Sequence, residues 1–436
     1  MLLIFLPVIT PRCEYVFELI FKEKFDIQYQ LTTDVKTFET YEHEKLNYSF
    51  KPLSNEFYIQ ATSLLFEQEI KKVDITIEKK FGTIVFFCSE PSCDIGFDIF
   101  SAVFYMISRY EEYLPYTPDK YGRYKASESL AYRYNFLQNP VVEIWINIFR
   151  GILSKRFPYL HLKPSKFRYI LTYDIDIAYA FKGRNMFRNM GATIKDVSRL
   201  KLKNIFNRIQ SLTNIKKDPW DVYDVLCETI VKNKMHSIFF FLMADYSEYD
   251  KNISYTHHLM KHLISKVSAC SEIGIHPSFK SSVTPKKILI EKERLEMISG
   301  KKINKSRQHF LKFTLPETYN HLINAGITED YSMGYADMPG FRAGTCKPFY
   351  FYDLIKEKST GLRVFPFAVM ESSFINYLQV PPHKALERIL KILEEVKNVN
   401  GAFISIWHND SLSETNMYKG WKEVHDKMIE QILLYA

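Results

Sequence analysis

Long apolar runs are missing from this chain of 436 residues. No stretch approaches the roughly 18 to 20 consecutive apolar residues that a transmembrane helix needs. The apolar opening Met1–Thr10 is short, is interrupted by Pro7 and has no basic residue before Arg12, so it differs from an export signal. The sequence therefore predicts a cytoplasmic protein that does not span a membrane, with a buried first strand.

Cysteines are few and dispersed. The six are scattered over the whole chain, and this distribution argues against a disulfide framework. Cys88 and Cys93 are close in sequence, but no second pair completes a zinc knuckle. We therefore expect these two residues to be reduced thiols.

The chain also lacks a strong excess of charge, with 58 Lys and Arg against 50 Asp and Glu and a net charge of +8. Its densest basic run lies between Lys182 and Lys217. We interpret the run as the solvated face of an amphipathic helix, and we predict no nucleic-acid partner. A nucleic-acid arm and a patch that binds an anionic glycan or a lipid diphosphate remain the alternatives.

The first part of the chain, residues 1–165, has a pattern of its own. Short β-branched and aromatic strands such as Gly82–Phe87 are mixed with helix-like segments such as Asp98–Glu112 and Val141–Lys155. The polar, proline-containing segment His161–Lys166 follows, and we place a domain boundary there because the chain is long for a single core. The sequence predicts a smaller α+β domain here, without a chemical signal for its role.

Residues 166–436 change to an alternation of strands and long helical segments, such as His383–Lys397. The predicted strands are Tyr169–Asp174, Ser237–Met243, Glu272–His276, Val364–Val369 and Ala402–Trp407. This alternation indicates an α/β fold with a parallel sheet, either open or closed into a barrel. In such folds the functional residues collect at the carboxyl ends of the strands.

Polar residues of catalytic type follow these strands. Asp174 and Asp176 close the first strand, and side chains two apart point to the same side. Two carboxylates at one place repel each other unless a cation lies beside them, although a turn at the strand end would also explain the pair. His276 and His408 end two further strands. Arg342 stands between glycines, where its guanidinium can hold a carboxylate.

In this order the segments resemble the motifs of the NodB-homology polysaccharide deacetylases of carbohydrate esterase family 4. The matching segments, from first motif to last, are Thr172–Asp176, His276, Arg342 and Ile406–His408. The resemblance extends over residues 167–436. The whole chain is also similar to a subgroup common in Bacteroidetes that carries an extra N-terminal domain, seen here in Ser108–Pro115 and Ala126–Ala131.

The resemblance implies a distorted (β/α) barrel that holds one divalent metal ion, usually zinc. Asp176 and His276 would be metal ligands, and Asp174 would activate water as the base. Arg342 would orient Asp174 and favour its ionised form. His408 would protonate the leaving amine as general acid.

Two positions depart from the pattern of that family. Ile175 separates the two aspartates, which are adjacent in the family, so the roles of base and ligand could be exchanged. Lys280 occupies the place of the second ligating histidine, and a cationic lysine cannot bind a metal. We therefore predict His309 as the third ligand, with a helix-capping or surface histidine as the alternative.

Two further groups of polar residues bear on the site. Acidic residues near strand ends that could support the metal ligands are Asp245, Asp330, Asp337 and Glu371. Histidines that cluster in a predicted helix are His257, His258 and His262. No acidic residue accompanies these histidines, so we expect a surface helix there rather than a metal site.

The predicted activity is metal-dependent removal of an acetyl group from an N-acetylated, or O-acetylated, sugar or glycan precursor. A cytoplasmic location favours a nucleotide- or lipid-linked saccharide as the substrate. Lys280 favours an alternative, a non-catalytic glycan-binding or scaffold relative that has lost the metal site. A third hypothesis is another metal hydrolase on the same barrel, which cleaves a different amide or a glycosidic bond. The sequence makes no prediction of the oligomeric state.

Overall fold

The structure is a computed structural model that describes residues 1–90, 93–184, 186–198, 200 and 202–435. The strands are β1 Leu2–Phe5, β2 Tyr29–Thr32, β3 Lys45–Ser49, β4 Phe57–Gln60, β5 Ile77–Lys80, β6 Thr83–Phe86, β7 Arg168–Ile175, β8 Ser237–Phe241, β9 Glu272–Ile275, β10 Lys305–Ser306, β11 Glu329–Asp330, β12 Phe349–Asp353, β13 Lys358–Val364, β14 Val369–Met370 and β15 Ala402–His408. The α-helices are α1 Pro11–Phe17, α2 Val35–Glu39, α3 Ile99–Ile107, α4 Leu130–Arg133, α5 Val141–Arg156, α6 Met186–Ser198, α7 Leu202–Leu212, α8 Tyr223–Lys232, α9 His258–Ser268, α10 Lys286–Ser299, α11 Glu317–Asn324, α12 Pro382–Asn398 and α13 Trp421–Tyr435. Arg199 and Lys201 of the basic run lie outside the described residues.

The first four strands form a parallel sheet of their own, in the order β2-β1-β3-β4. Helix α1 connects β1 to β2 and helix α2 connects β2 to β3, and such crossovers return the chain in the same direction. The region therefore differs from the predicted α+β arrangement, in which helices are segregated from an antiparallel sheet. The antiparallel ribbon of β5 and β6 is separate from these four strands.

Nine strands of the second region form one sheet in the order β12-β13-β11-β10-β9-β8-β7-β15-β14. Neighbours along this sheet are parallel, apart from β12 and β13. β7 lies inside the sheet between β8 and β15, and six of its eight residues are buried on alternating faces. The predicted α/β class with a parallel sheet is confirmed.

The predicted closure of this sheet into a barrel is not seen. Pairing runs from β12 at one edge to β14 at the other, and no pairing joins these two edge strands within the described residues. The predicted strand Val364–Val369 is also divided, because β13 ends at its first residue and β14 begins at its last. Pro366 lies between them and cannot donate a hydrogen bond to a neighbouring strand.

The two regions pack against each other over a common apolar core. Arg12 of α1 forms an ion pair with Glu357 at 2.5 Å, and the hydroxyl of Tyr15 donates to the carbonyl of Tyr350 at 2.6 Å. Since this core is continuous across the proposed domain boundary, the boundary stays a prediction. None of the described helices is long and apolar enough to cross a bilayer.

One disulfide was not predicted from the sequence. Cys227 of α8 is bonded to Cys270, which follows α9. The strands β8 and β9 that come after these two helices are neighbours in the sheet, and crossovers of the same hand place consecutive helices side by side. Cysteines that are scattered along the chain can therefore meet. Cys88 and Cys93 are free, as expected.

Candidate metal centre

The carboxyl end of β7 carries Asp174 and is followed by Asp176. The strands β8 and β15 flank β7 and are parallel to it, so three strands end at the same edge of the sheet. Asp174 lies opposite His408 of β15 in the register. His276 directly follows β9, the neighbour of β8. Regular pairing of apolar strands thus brings together polar residues from distant parts of the sequence.

Three imidazole rings surround the carboxylate of Asp176. Nε2 of His276 lies 3.1 Å from its Oδ1. Nε2 of His309 lies 3.3 Å from its Oδ2, and Nε2 of His408 lies 3.7 Å from the same oxygen. One donor atom each from Asp176, His276 and His309 lies within 4.8 Å of the others, and the separations of 3.1 and 3.3 Å between the Asp176 oxygens and the two imidazoles suit ligands at about 2.1 Å from a single ion.

The other ring nitrogen of two of these histidines is held by an acceptor. Nδ1 of His276 donates to the backbone carbonyl of Arg307 at 2.5 Å, and Nδ1 of His309 donates to Asp250 at 2.9 Å. A carbonyl can only accept, so we assign the proton of His276 to Nδ1. In the neutral ring the lone pair of Nε2 then points toward Asp176, which is the usual orientation of a ligating histidine.

The contact between Asp176 and His276 suits a metal better than a hydrogen bond. Oδ1 of Asp176 is buried and has no hydrogen-bond partner among the described residues, although Nε2 of His276 is 3.1 Å away. A buried oxygen without a partner is costly, and a cation between two acceptors satisfies both. Together with His309 these residues offer one oxygen and two nitrogen donors, a set that fits a divalent ion such as zinc.

Asp176, His276, His309 and His408 form one cluster, and the charges inside it shift the pKa values of its members. Burial works against the charge on Asp176, but the positive charges of His309 and His408 hold the pKa of this carboxyl well below its usual range. Burial also opposes the charge on His309, yet Asp176 and Asp250 raise the pKa of its imidazole to about 9. A metal ion bound by His309 would take the place of that proton.

Asp174 is held by an arginine, although not by the predicted one. Nη1 of Arg307 donates to Oδ1 of Asp174 at 2.8 Å and to the hydroxyl of Thr172 at 2.7 Å. Arg342 is instead paired with Glu112 of the first region at 2.5 Å, and both are buried. The prediction that Arg342 orients Asp174 is wrong, because the guanidinium of Arg342 already binds both oxygens of the Glu112 carboxylate.

His408 is oriented by Glu371, which follows β14. Nδ1 of His408 donates to Oε1 of Glu371 at 2.7 Å, and the backbone N–H of His408 donates to the same oxygen at 2.9 Å. Burial opposes a charge on this ring, but the carboxylate of Glu371 outweighs it and raises the pKa of His408 well above its ordinary value. The ring therefore carries a proton that it can donate.

Other residues considered from the sequence lie outside the cluster. Lys280 is exposed in the turn before α10. His258 and His262 are exposed on α9, as expected for a surface helix. Asp245 pairs with Arg294 at 2.9 Å, also away from the cluster.

The cluster opens into a pocket with a volume of about 220 Å³. Asp174, Asp176 and His408 line this pocket together with Tyr418. The first region contributes Arg123, which donates to the carbonyl of the residue after His309 and to a tyrosine hydroxyl. Both regions of the chain therefore shape the space in front of the cluster.

The sequence did not predict two residues that hold members of the site, Asp250 beside His309 and Arg307 beside Asp174. Arg307 and His309 are two residues apart directly after β10, and on an extended segment this spacing places both on one side. The period of two is a signal that could identify Arg307. Asp250 lies in the long connection between β8 and α9, where no local pattern distinguishes it from other loop carboxylates.

Glu291 of α10 holds the turn that follows His276. Its carboxylate accepts hydrogen bonds from the backbone N–H of Ser278 at 2.8 Å and from the hydroxyl of Ser278 at 2.6 Å. Burial outweighs these bonds and raises the pKa of Glu291 to about 7. Because the folded state binds this proton more tightly than the unfolded state, the resulting stabilisation is complete at low pH and is lost as the pH rises through about 7.

We therefore expect the variant Glu291→Gln to be more stable than the parent protein at pH 8 but not at pH 4, because its side chain cannot ionise. The gain in free energy of unfolding is at most roughly 3 kcal/mol. Urea unfolding at the two pH values measures it. Glu293→Gln, an exposed change on the same helix, is the control. An equal effect of Glu291→Gln at both pH values contradicts the prediction.

Comparison with known families gives one match, in the first region. Residues 2–158 match a model described as a family of unknown function, DUF7033. The match covers less than half of the chain and supplies no activity. No curated protein matches the chain significantly.

Comparison with solved structures finds matches of low identity and low TM-score. A protein from Mycobacterium smegmatis, provisionally assigned as a polysaccharide deacetylase, is 15% identical with a TM-score of 0.41, over 62% of this chain and 85% of that chain. A polysaccharide deacetylase from Bacillus cereus is 11% identical with a TM-score of 0.30, over 62% of this chain and 87% of that chain. A CE4 family pseudoenzyme from Bacillus anthracis is 11% identical with a TM-score of 0.32, over 62% of this chain and 63% of that chain. At these values the likeness assigns no activity.

Proposed function

We propose that this protein is a metal-dependent hydrolase that removes an acetyl group from an N-acetylated or O-acetylated sugar or glycan precursor. The observation that carries the proposal is the carboxylate of Asp176, which faces Nε2 of His276 and of His309. The resemblance to carbohydrate esterase family 4 adds support, because the sheet brings its motif residues Asp174, Asp176, His276 and His408 to one edge. In this proposal the nine-stranded sheet is an open counterpart of the distorted (β/α) barrel of that family.

Asp176, His276 and His309 would hold the metal ion. Such an ion, zinc in most proteins of the resembled family, would polarise an acyl carbonyl and make bound water more acidic. The position of His309 also weakens the argument from Lys280, since the third ligand can come from the segment after β10.

The remaining residues of the cluster supply proton transfer. Asp174, whose other oxygen is fixed by Arg307, accepts a proton from the attacking water. The water oxygen bonds to the acetyl carbon, and the bond from this carbon to the sugar nitrogen breaks. His408, oriented by Glu371, gives its proton to the leaving nitrogen. The products are acetate and a free amine.

Acetate release tests the proposal. The substrates are an N-acetylated hexosamine in free, nucleotide-linked and lipid-linked form, since the predicted cytoplasmic location favours a precursor. We expect one equivalent of metal in the purified protein and acetate release that falls by on the order of 100-fold or more in His408→Gln. His262→Gln, an exposed change on α9, is expected to leave the rate unchanged.

Three results would overturn the proposal. Protein that binds glycans without holding a metal would be a non-catalytic relative. Release of reducing sugar without acetate would indicate cleavage of a glycosidic bond. Metal-loaded protein that releases acetate from none of the three substrates, in amounts above the His408→Gln background, would exclude the deacetylase activity.

A further inference from the structure

Helices α6 and α7 turn apolar side chains toward the solvent. The exposed apolar residues are Met190, Ile194 and Val197 on α6 and Phe206, Ile209 and Leu212 on α7. Within each helix they recur at spacings of three and four, so they form one continuous face. Ile194 is 68% exposed and Phe206 is 59% exposed. Exposed apolar faces of this length mark interaction surfaces rather than ordinary solvated helices.

The sides of α6 and α7 that pack together are polar. Arg208 is buried and donates to the hydroxyl of Thr193 at 2.5 Å and to the carboxylate of Asp196 at 2.6 Å. Asn189 and Ser211 are buried as well. A helix that packs on a water-soluble core has the opposite arrangement, with apolar residues inside. The solvated polar face expected from the sequence is therefore not what these two helices present.

The apolar face lies in the most basic part of the chain. Between Lys182 and Lys217 there are ten Lys and Arg and one acidic residue, Asp196. Because the whole chain has a net charge of +8, this segment accounts for the entire positive excess. Asp196 is already paired with Arg208 inside the helix pair, while Lys195 and Lys216 are exposed. The segment is thus positively charged in sequence, and on its described part Lys195 and Lys216 expose that charge beside the apolar face.

The α6–α7 pair begins beside the candidate metal centre. It is inserted between β7, which leads into Asp176, and α8. The carboxylate of Asp218, after the pair, accepts hydrogen bonds from the backbone N–H groups of Ala180 and Phe181, before it, at 2.8 and 2.9 Å. Asn409, next to His408, donates to the carbonyl of residue 177 at 3.1 Å. The base of the pair is therefore fixed at the edge of the sheet where the pocket opens.

These observations favour a lipid surface over other partners. A helix with an apolar face and a basic polar remainder binds in the headgroup region of anionic bilayers, where both kinds of side chain are satisfied. Nucleic acid would leave the aliphatic face in water. A second copy of the chain would bring two strongly basic segments together.

We propose that the α6–α7 pair docks this protein onto the surface of an anionic lipid bilayer. The docking itself does not depend on the activity proposed above. Combined with that activity, it identifies the substrate class, because a pocket that opens beside the bilayer is placed to act on a saccharide carried by a membrane lipid.

Vesicle flotation of the full chain tests the docking. The vesicles contain phosphatidylglycerol and phosphatidylcholine, or phosphatidylcholine alone. We expect the protein to bind the anionic vesicles. Its affinity should be about tenfold or more lower for the neutral vesicles, and likewise lower for the anionic vesicles at high salt. The double variant Ile194→Ser, Phe206→Ser is expected to lose about tenfold or more in affinity for anionic vesicles. The control is Met297→Ser with Ile355→Ser, two changes at exposed apolar residues elsewhere, which should bind as the parent does.

Three outcomes would overturn the docking. They are parent protein that stays off anionic vesicles, a double variant that floats as well as the parent, and a parent dimer that the double variant dissociates while neither binds vesicles. Melting temperatures of the two double variants that equal that of the parent protein establish that folding is unaffected. Acetate release from a lipid-linked substrate in vesicles is measured separately. If the parent protein releases acetate from no substrate, the hydrolase proposal fails and the docking proposal is unaffected. If the Ile194→Ser, Phe206→Ser variant keeps the parent's rate on vesicles, the lipid-linked substrate class is wrong.

Discussion

Replacing Asp176 by Asn is expected to remove metal from the protein and to lower acetate release by about 1000-fold or more. Asp176 is the carboxylate that His276, His309 and His408 all face, so its charge is the centre of the cluster. A neutral amide offers a cation one weak oxygen and no charge. Even residues that only orient ligands change metal affinity by 10- to 100-fold, so a direct ligand should have a larger effect. Loss of metal removes several kcal/mol of transition-state stabilisation, and each tenfold in rate is about 1.4 kcal/mol.

Metal content and thermal stability provide readouts that do not require activity. The parent protein should hold one equivalent after gel filtration, and added zinc should raise its melting temperature, because ligand that binds only the folded state stabilises it. Asp176→Asn should show neither effect. Asp245→Asn, an exposed carboxylate paired with Arg294, is the matched control and should behave as the parent does. A full equivalent of metal in Asp176→Asn would show that the cluster is not the metal site.

Replacing Arg307 by Met is expected to lower kcat by about 100-fold while metal content stays unchanged. Nη1 of Arg307 donates to Oδ1 of Asp174 at 2.8 Å, whereas the proposed ligand His276 has its Nε2 3.8 Å from the other oxygen, Oδ2. Without the guanidinium the carboxylate loses its orientation, and proton transfer by a positioned base contributes about 100- to 10,000-fold. Arg307→Lys keeps the charge and should restore part of kcat.

The variant Arg342→Met is the comparison for Arg307→Met, because the sequence alone predicted that Arg342 orients Asp174. Arg342 shares the buried carboxylate of Glu112 with Arg109, so its removal leaves Glu112 one partner and costs at most about 3 to 5 kcal/mol of stability. We expect a lower melting temperature but an unchanged kcat per folded molecule below that temperature. Should Arg342→Met lose rate while Arg307→Met keeps it, the assignment made from the sequence would be the right one and the arrangement described above would be wrong.

The contrast between Arg307 and Arg342 illustrates how far local patterns extend. Strand positions can be predicted from the sequence because a buried strand is a continuous apolar run. The predicted strands Tyr169–Asp174 and Ala402–Trp407 both lie in observed strands. Parallel pairing then fixes which strand ends meet, so Asp174 and His408 could be placed at one edge. The partner of an arginine has no such local signature.

Long-range packing explains the features that the sequence did not predict. Glu112 is 230 residues away from Arg342, and it comes from a region without any recognisable chemical signal. Asp250, which holds His309, lies in a connection without regular structure. The open sheet and the outward apolar face of α6 and α7 likewise depend on which elements pair or pack with each other. Hydrophobic periodicity does not predict those partners.

The sequence by itself determined the alternating α/β order and the polar residues that close its strands, because both follow from hydrophobic period and strand direction. It also supplied His309 as the candidate third ligand. Only the tertiary structure decided that Arg307 rather than Arg342 holds Asp174, that Glu371 holds His408, and that Oδ1 of Asp176 faces an imidazole without a hydrogen bond. The physical reason is that a charged side chain is satisfied by whatever the folded chain places within hydrogen-bond reach, at any distance in sequence.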